Sequence, residues 1–139
     1  MTEFASLERL EVYHNAIRSV PDSVAQLQSL VHLDLSRNQL SSLPAAVCHL
    51  PLQVLLLAHN KLVALPEEMG QLSALMALDV SCNTLSSLPP QLGELAELRS
   101  LDVSSNMLNQ LPIGTNCVLI HSAPSFLAQG LTKGALISG

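Results

Sequence analysis

The chain has 139 residues, room for one domain, with a formal net charge of −5 and 48% hydrophobic residues. That balance excludes the clustered lysines and arginines that hold nucleic acid or an anionic membrane surface. Thirty leucines beside three aromatics and no tryptophan exclude an ordinary mixed globular core, and no apolar run reaches the roughly 18–20 residues that a membrane span needs.

Five units follow one another, beginning at Leu7, Leu30, Leu52, Leu75 and Leu98. The first is predicted to run as a short strand around Leu10-Glu-Val12, a turn at Asn15, and a return that starts at Pro21 with Asp22 behind it. The second repeats this with Leu33-Asp-Leu35, Asn38 and Pro44, and the third with Leu55-Leu-Leu57, Asn60, Pro66 and the acidic pair Glu67 and Glu68. Leu78-Asp-Val80, Asn83 and Pro89 form the fourth, and Leu101-Asp-Val103, Asn106 and Pro112 the fifth. The asparagines recur at intervals of 23, 22, 23 and 23 residues, each followed six residues later by proline. Two residue types locked to one period indicate a stack of like units whose stability belongs to the neighbours' contacts.

Each residue type has a physical reason. Alternation of apolar and polar positions marks a strand with one buried face, and stacked units align these strands in parallel about 4.8 Å apart. Asparagine both donates and accepts, so a ladder of Asn15, Asn38, Asn60, Asn83 and Asn106 can satisfy backbone groups buried by the turn. Proline fixes φ and needs no amide partner at the start of the return. Acidic residues behind it suit the positive end of a helical turn.

The pattern L-x-x-L-x-[LV]-x-x-N-x-[LI]-x-x-[LV]-P is that of a leucine-rich repeat. The expected fold is α/β: a right-handed solenoid, or horseshoe, with a short parallel sheet on its concave face and short helical or 3-10 returns on its convex face. Residues 1–112 are read as this domain, the end of one partial repeat plus about five repeats. Residues 113–139 are read as a non-repeat apolar tail without stable structure, because they carry one charge, Lys133, and Thr115 stands where an apolar residue is due. With Phe4 and Met1 alone on the apolar register before Leu7, both ends are expected to fray or self-associate.

Cys48, Cys82 and Cys117 are odd in number and lack C-x-x-C spacing, there is no N-x-[ST] sequon, and the start lacks the basic and apolar regions of a secretory leader. These features together predict a reducing, cytoplasmic setting.

The 23-residue unit ending in Leu-Pro resembles the intracellular leucine-rich repeats of Ras-pathway scaffolds and polarity proteins. The shorter second unit with Cys48-His-Leu-Pro51-Leu-Gln-Val-Leu, then His59-Asn-Lys-Leu-Val-Ala-Leu-Pro-Glu-Glu and Leu78-Asp-Val-Ser-Cys-Asn83, resembles more narrowly the family that joins leucine-rich repeats to a calponin-homology domain. The resemblance covers about residues 4–112 and implies a cytoplasmic adaptor for regulators of Rho-type small GTPases, linked to the cytoskeleton. The calponin-homology domain is absent from this sequence, which leaves the cytoskeletal attachment without its carrier.

Candidate partner-binding residues are those that flank the buried leucines on the inner sheet. One column is Arg9, His32, Val54, Ala77 and Ser100; the next is Glu11, Asp34, Leu56, Asp79 and Asp102. Tyr13, Ser36, Ala58, Ser81 and Ser104 form the third, and His14, Arg37, His59, Cys82 and Ser105 the fourth. The set singled out is Tyr13, His14, His32, Asp34, Arg37, Val54, Leu56, His59, Asp79 and Cys82. Leu56 stands out as an exposed leucine interrupting an acidic column, since an apolar patch in a concavity marks contact. Tyr13 and Arg37 are of types enriched in hot spots.

Chemistry finds little support. The nearest same-column pair among His14, His32 and His59 lies two units apart, roughly 10 Å at ~4.8 Å per strand, too far to share a metal ion. Cys82 and His59 are neighbours in one column, yet no orienting group or oxyanion donor accompanies them. No cofactor is expected and no catalysis. The reading is a non-catalytic interaction scaffold that binds protein, with neither nucleic-acid binding nor membrane insertion; its rival is a truncated splice variant of a longer repeat protein with little autonomous function.

Overall fold

A computed structural model of the chain describes residues 6–107, 119–121 and 136–138. Seven three-residue strands form one parallel sheet in chain order: β1 (Arg9–Glu11), β2 (His32–Asp34), β3 (Val54–Leu56), β4 (Ala77–Asp79), β5 (Ser100–Asp102), β6 (Leu119–His121) and β7 (Leu136–Ser138). The register aligns Leu10, Leu33, Leu55, Leu78 and Leu101 across the first five strands. Each unit thus repeats one winding of a solenoid, as the leucine pattern requires.

The returns are 3-10 turns at Asp22–Gln26, Ala45–His49, Glu67–Gln71 and Pro90–Glu94. Pro21, Pro44, Pro66 and Pro89 precede them in extended conformation, with φ between −70° and −66°. Each return buries an aliphatic side chain against the sheet: Val24, Val47, Met69 and Leu92. Together with the strand leucines they make one continuous core.

The one-residue deletion in the second unit is absorbed after its return. Leu27, Leu72 and Leu95 close their turns with ψ of 66°, 66° and 88°, whereas Leu50 is extended at ψ 152°. Leu30 and Leu75 donate back to Leu27 and Leu72 in a further turn. Pro51 follows Leu50 directly, and the chain reaches β3 through a bend at Gln53.

Six residues of the tail read as 113–139 are described. β6 and β7 extend the sheet, with Ile120 paired to Leu101 and Ile137 to Ile120. A β-branched residue at each middle position suits a strand, although the spacing is shorter than the 23-residue period. The rest of the expectation for 113–139, together with the positions of Met1, Phe4 and Cys117, lies outside the described residues.

Candidate functional site

The asparagine ladder fixes the rim of the sheet. Asn60 Nδ2 donates to Leu57 O and Ala58 O of its own turn and to Leu35 O of the unit before; its Oδ1 accepts the N–H of Leu40 at 3.0 Å. Asn38, Asn83 and Asn106 do the same toward Val12, Leu57 and Val80. Asn15 is exposed, and its Nδ2 bonds within its own turn to Val12 O and Tyr13 O. The ladder is therefore a seam between units rather than a surface for partners.

Just before each asparagine stands a residue in the left-handed region: His14 at φ 59°, Arg37 at 58°, His59 at 56°, Cys82 at 56° and Ser105 at 55°. The sharp inward turn demands this conformation, which L-residues enter at a cost. His14, Arg37 and His59 are exposed along this row, and Cys82 is half-buried. No hydrogen bond joins the His59 ring to the Cys82 thiol. Among the described residues no group of three or more His, Cys, Asp or Glu side chains is placed to hold a metal ion.

On the strand face the register sets Val54 between His32 and Ala77, and Leu56 between Asp34 and Asp79. The aspartates are partly committed. Asp34 Oδ1 accepts the Ser36 N–H at 2.9 Å, while Asp79 and Asp102 each accept the N–H and hydroxyl of Ser81 and Ser104 at 3.0 and 2.7 Å. They cap the end of each strand, which explains their recurrence. The third unit replaces this pair by Leu56 and Ala58, so its strand end carries apolar groups instead. Leu56 is half-buried rather than fully exposed as the sequence suggested, because strands on both sides crowd it; Ala58 is buried. Val54 is also half-buried, and Tyr13 is 54% exposed. His32 is half-buried with its Nε2 out of solvent and unpartnered among the described residues.

Two features escaped the sequence reading. Val63 is 57% exposed where Arg18, Ser41, Ser86 and Asn109 occupy the other units, a contrast visible in the aligned repeats. Cys48 is buried under the convex return, 3.8 Å from the Met69 sulfur; burial, then the nearby Glu68 charge, pushes its thiol up to about 12. That thiol is inert in the folded chain.

The leucine-rich repeat region model matches residues 2–110. A leucine-rich repeat and calponin homology domain-containing protein 1 of Mus musculus is 57% identical over 56 residues, which are 40% of this chain and 8% of that protein. The Drosophila melanogaster protein named for the same two domains is 54% identical over 58 residues, 42% of this chain and 7% of that protein. The chain thus matches under a tenth of the length of these curated relatives. A solved leucine-rich repeat protein of Leptospira interrogans superposes with a TM-score of 0.89 at 33% identity, covering 99% of this chain and 38% of that one. The repeat fold and the relatives' names point to interaction modules rather than enzymes. No helix among the described residues is long and apolar enough to cross a membrane.

Proposed function

The chain belongs to the leucine-rich repeat family, and on that premise we propose that it is a non-catalytic scaffold that binds a protein partner on the concave face of its sheet. The carrying observation is the break at the third unit, where Leu56 and Ala58 replace the aspartate and serine that cap β4 and β5. An Asp at position 56 could accept the Ala58 N–H as Asp34 accepts that of Ser36, a local hydrogen bond that leucine forgoes. Val54 beside it widens the apolar spot, and the exposed Arg37 and His59 border it. Apolar centres with polar rims are the anatomy of protein interfaces.

By likeness to the calponin-homology relatives, the proposed setting is the cytoplasm. The proposed partners are regulators of Rho-type small GTPases, with a link to the cytoskeleton. The proposed binding unit is the repeat array, residues 1–112, and no catalytic step is assigned to it.

The test is capture of such a regulator from cytosolic extract. Leu56→Glu with Arg37→Glu should abolish capture with circular dichroism unchanged. Glu67→Lys with Glu94→Lys, on the convex side, should leave it intact. The reverse pattern would move binding to the convex side and end this reading.

A further inference from the structure

We infer that the rim between the strand ends and the prolines is a docking strip for an extended acidic segment of a protein partner. The strip borders the concave spot around Leu56 and shares Arg37 with it, but does not rest on that reading.

In each unit the rim runs from the residue before the asparagine to the fourth after it: 14–19, 37–42, 59–64, 82–87 and 105–110. None of the chain's eleven carboxylates falls there, although the net charge is −5. Three of its six lysines and arginines do, one in each of the first three units: Arg18, Arg37 and Lys61. All three are exposed. Stacking holds neighbouring units about 4.8 Å apart, so these charges share one ridge. Arg18 leans toward the second unit, its Nε donating to Gln39 Oε1 at 3.4 Å. Among the described residues the only ion pair joins Arg9 to Glu11, so no described carboxylate pairs with Arg18, Arg37 or Lys61. The fourth unit has Ser86, Cys82 and Thr84 at the same three positions, so the fold does not require cations there.

An apolar pair lies beside the cations. Val63 is 57% exposed and Ala64 is exposed, where the neighbouring units carry Ser41-Ser42 and Ser86-Ser87. Leu62 is fully buried, so Lys61 and Val63 on either side of it both point outward. A segment with carboxylates around one aliphatic side chain would set the carboxylates on Arg37 and Lys61 and the aliphatic group on Val63. Basic clusters recognise acidic motifs in this way, and charge-assisted hydrogen bonds to carboxylates are the strong ones. The flanks decide against a wider polyanion. Asp34 and Asp79 bound the strip on the strand side, while Asp22, Glu67 and Glu68 stand behind the prolines on the other. A bilayer surface or a duplex would cover both flanks and meet those carboxylates, whereas a single extended chain fits between them.

Fluorescence anisotropy with the full 139-residue chain tests this. The probe is a labelled peptide of glutamates and aspartates around one leucine; its neutral twin carries glutamines and asparagines instead. Wild type should bind the acidic probe, more weakly as salt rises, and the neutral twin at least about tenfold less well. Lys61→Glu should raise the dissociation constant roughly tenfold, and Val63→Ser about fivefold. Both side chains are exposed, so melting by circular dichroism should match wild type. Leu56→Gln, on the strand face, should leave probe binding unchanged, which separates this strip from the concave reading. No binding of the acidic probe, equal binding of the twin, indifference to Lys61→Glu or Val63→Ser, or loss with Leu56→Gln would each overturn the inference. So would binding to phosphatidylserine vesicles in place of the peptide, which would assign the strip to a membrane surface.

Discussion

Asn60 holds a backbone amide of the preceding unit: its Oδ1 accepts the Leu40 N–H at 3.0 Å, with Asn60 only 7% exposed. Removing the side chain orphans the buried Leu40 N–H, while the carbonyls of Leu35, Leu57 and Ala58 each lose one donor and keep Asn38 Nδ2, Asn83 Nδ2 and the Arg37 N–H respectively. Asn60→Ala should therefore destabilise the chain by about 1–3 kcal/mol. Asn15→Ala, at an exposed turn, should cost clearly less. Paired denaturant melts decide the matter, and equal midpoint shifts would show that burial does not set the ladder's strength.

Gly70 lets two returns approach. A Cβ there would lie 2.9 Å from Glu94 Oε1, 3.0 Å from Gln91 Cβ and 3.2 Å from Gln91 O. The carboxylate can swing away, but the Gln91 backbone cannot. Gly70→Ala should cost about 1–3 kcal/mol by overpacking, even though alanine occupies the equivalent position, Ala25, in the first unit. Thermal melts of Gly70→Ala and Gly70→Ala with Glu94→Ala separate the two clashes; full rescue by the second change would remove the backbone from the account.

The left-handed row offers a gain in stability. Cys82 sits at φ 56°, a conformation that asparagine tolerates and β-branched residues resist. Cys82→Asn should raise stability by up to about 1 kcal/mol, and Cys82→Val should lower it by about 1–2 kcal/mol. Chemical denaturation reads both, and a stable valine variant would mean that this turn is not under strain.

Cys48 makes stability depend on alkaline pH. Its folded thiol is held up at about 12 against an ordinary value of 9.0, with burial as the first cause. Between those values the unfolded chain gives up the proton and the folded chain keeps it, so the unfolded state is favoured as pH rises. The contribution is intact below pH 9 and falls by at most about 1.4 kcal/mol per pH unit above it. Wild type should lose stability more steeply than Cys48→Ala in this window. Parallel slopes would show that the thiol titrates alike in both states.

Period alone carried the fold. Leu33, Leu55, Leu78 and Leu101 are aligned because identical spacing stacks identical positions, and the ladder follows from asparagine's capacity to donate and accept in one turn. The strand-face columns containing Asp34, Leu56 and Asp79 were legible for the same reason: register is a sum of unit lengths. The 22-residue unit announced itself by length, but its extended closure at Leu50 depends on how the chain must reach β3.

What tertiary structure decided is what each legible residue does there. Asp79 and Asp102 read as a surface for partners, yet each spends one oxygen on its own serine, a geometry set by the strand's end. The left-handed row was unreadable because His14, Arg37, His59, Cys82 and Ser105 are not the glycines that usually mark positive φ, and the ladder beyond them forces the turn. Leu56 was placed correctly on the strand face, while its half-burial comes from neighbours on two other strands. β6 and β7 had no period to announce them, because the pairing of β6 with β5 and of β7 with β6 is a contact between chain segments rather than a property of either. Repetition writes position into the sequence; burial, hydrogen-bond partners and strain arise only when units meet.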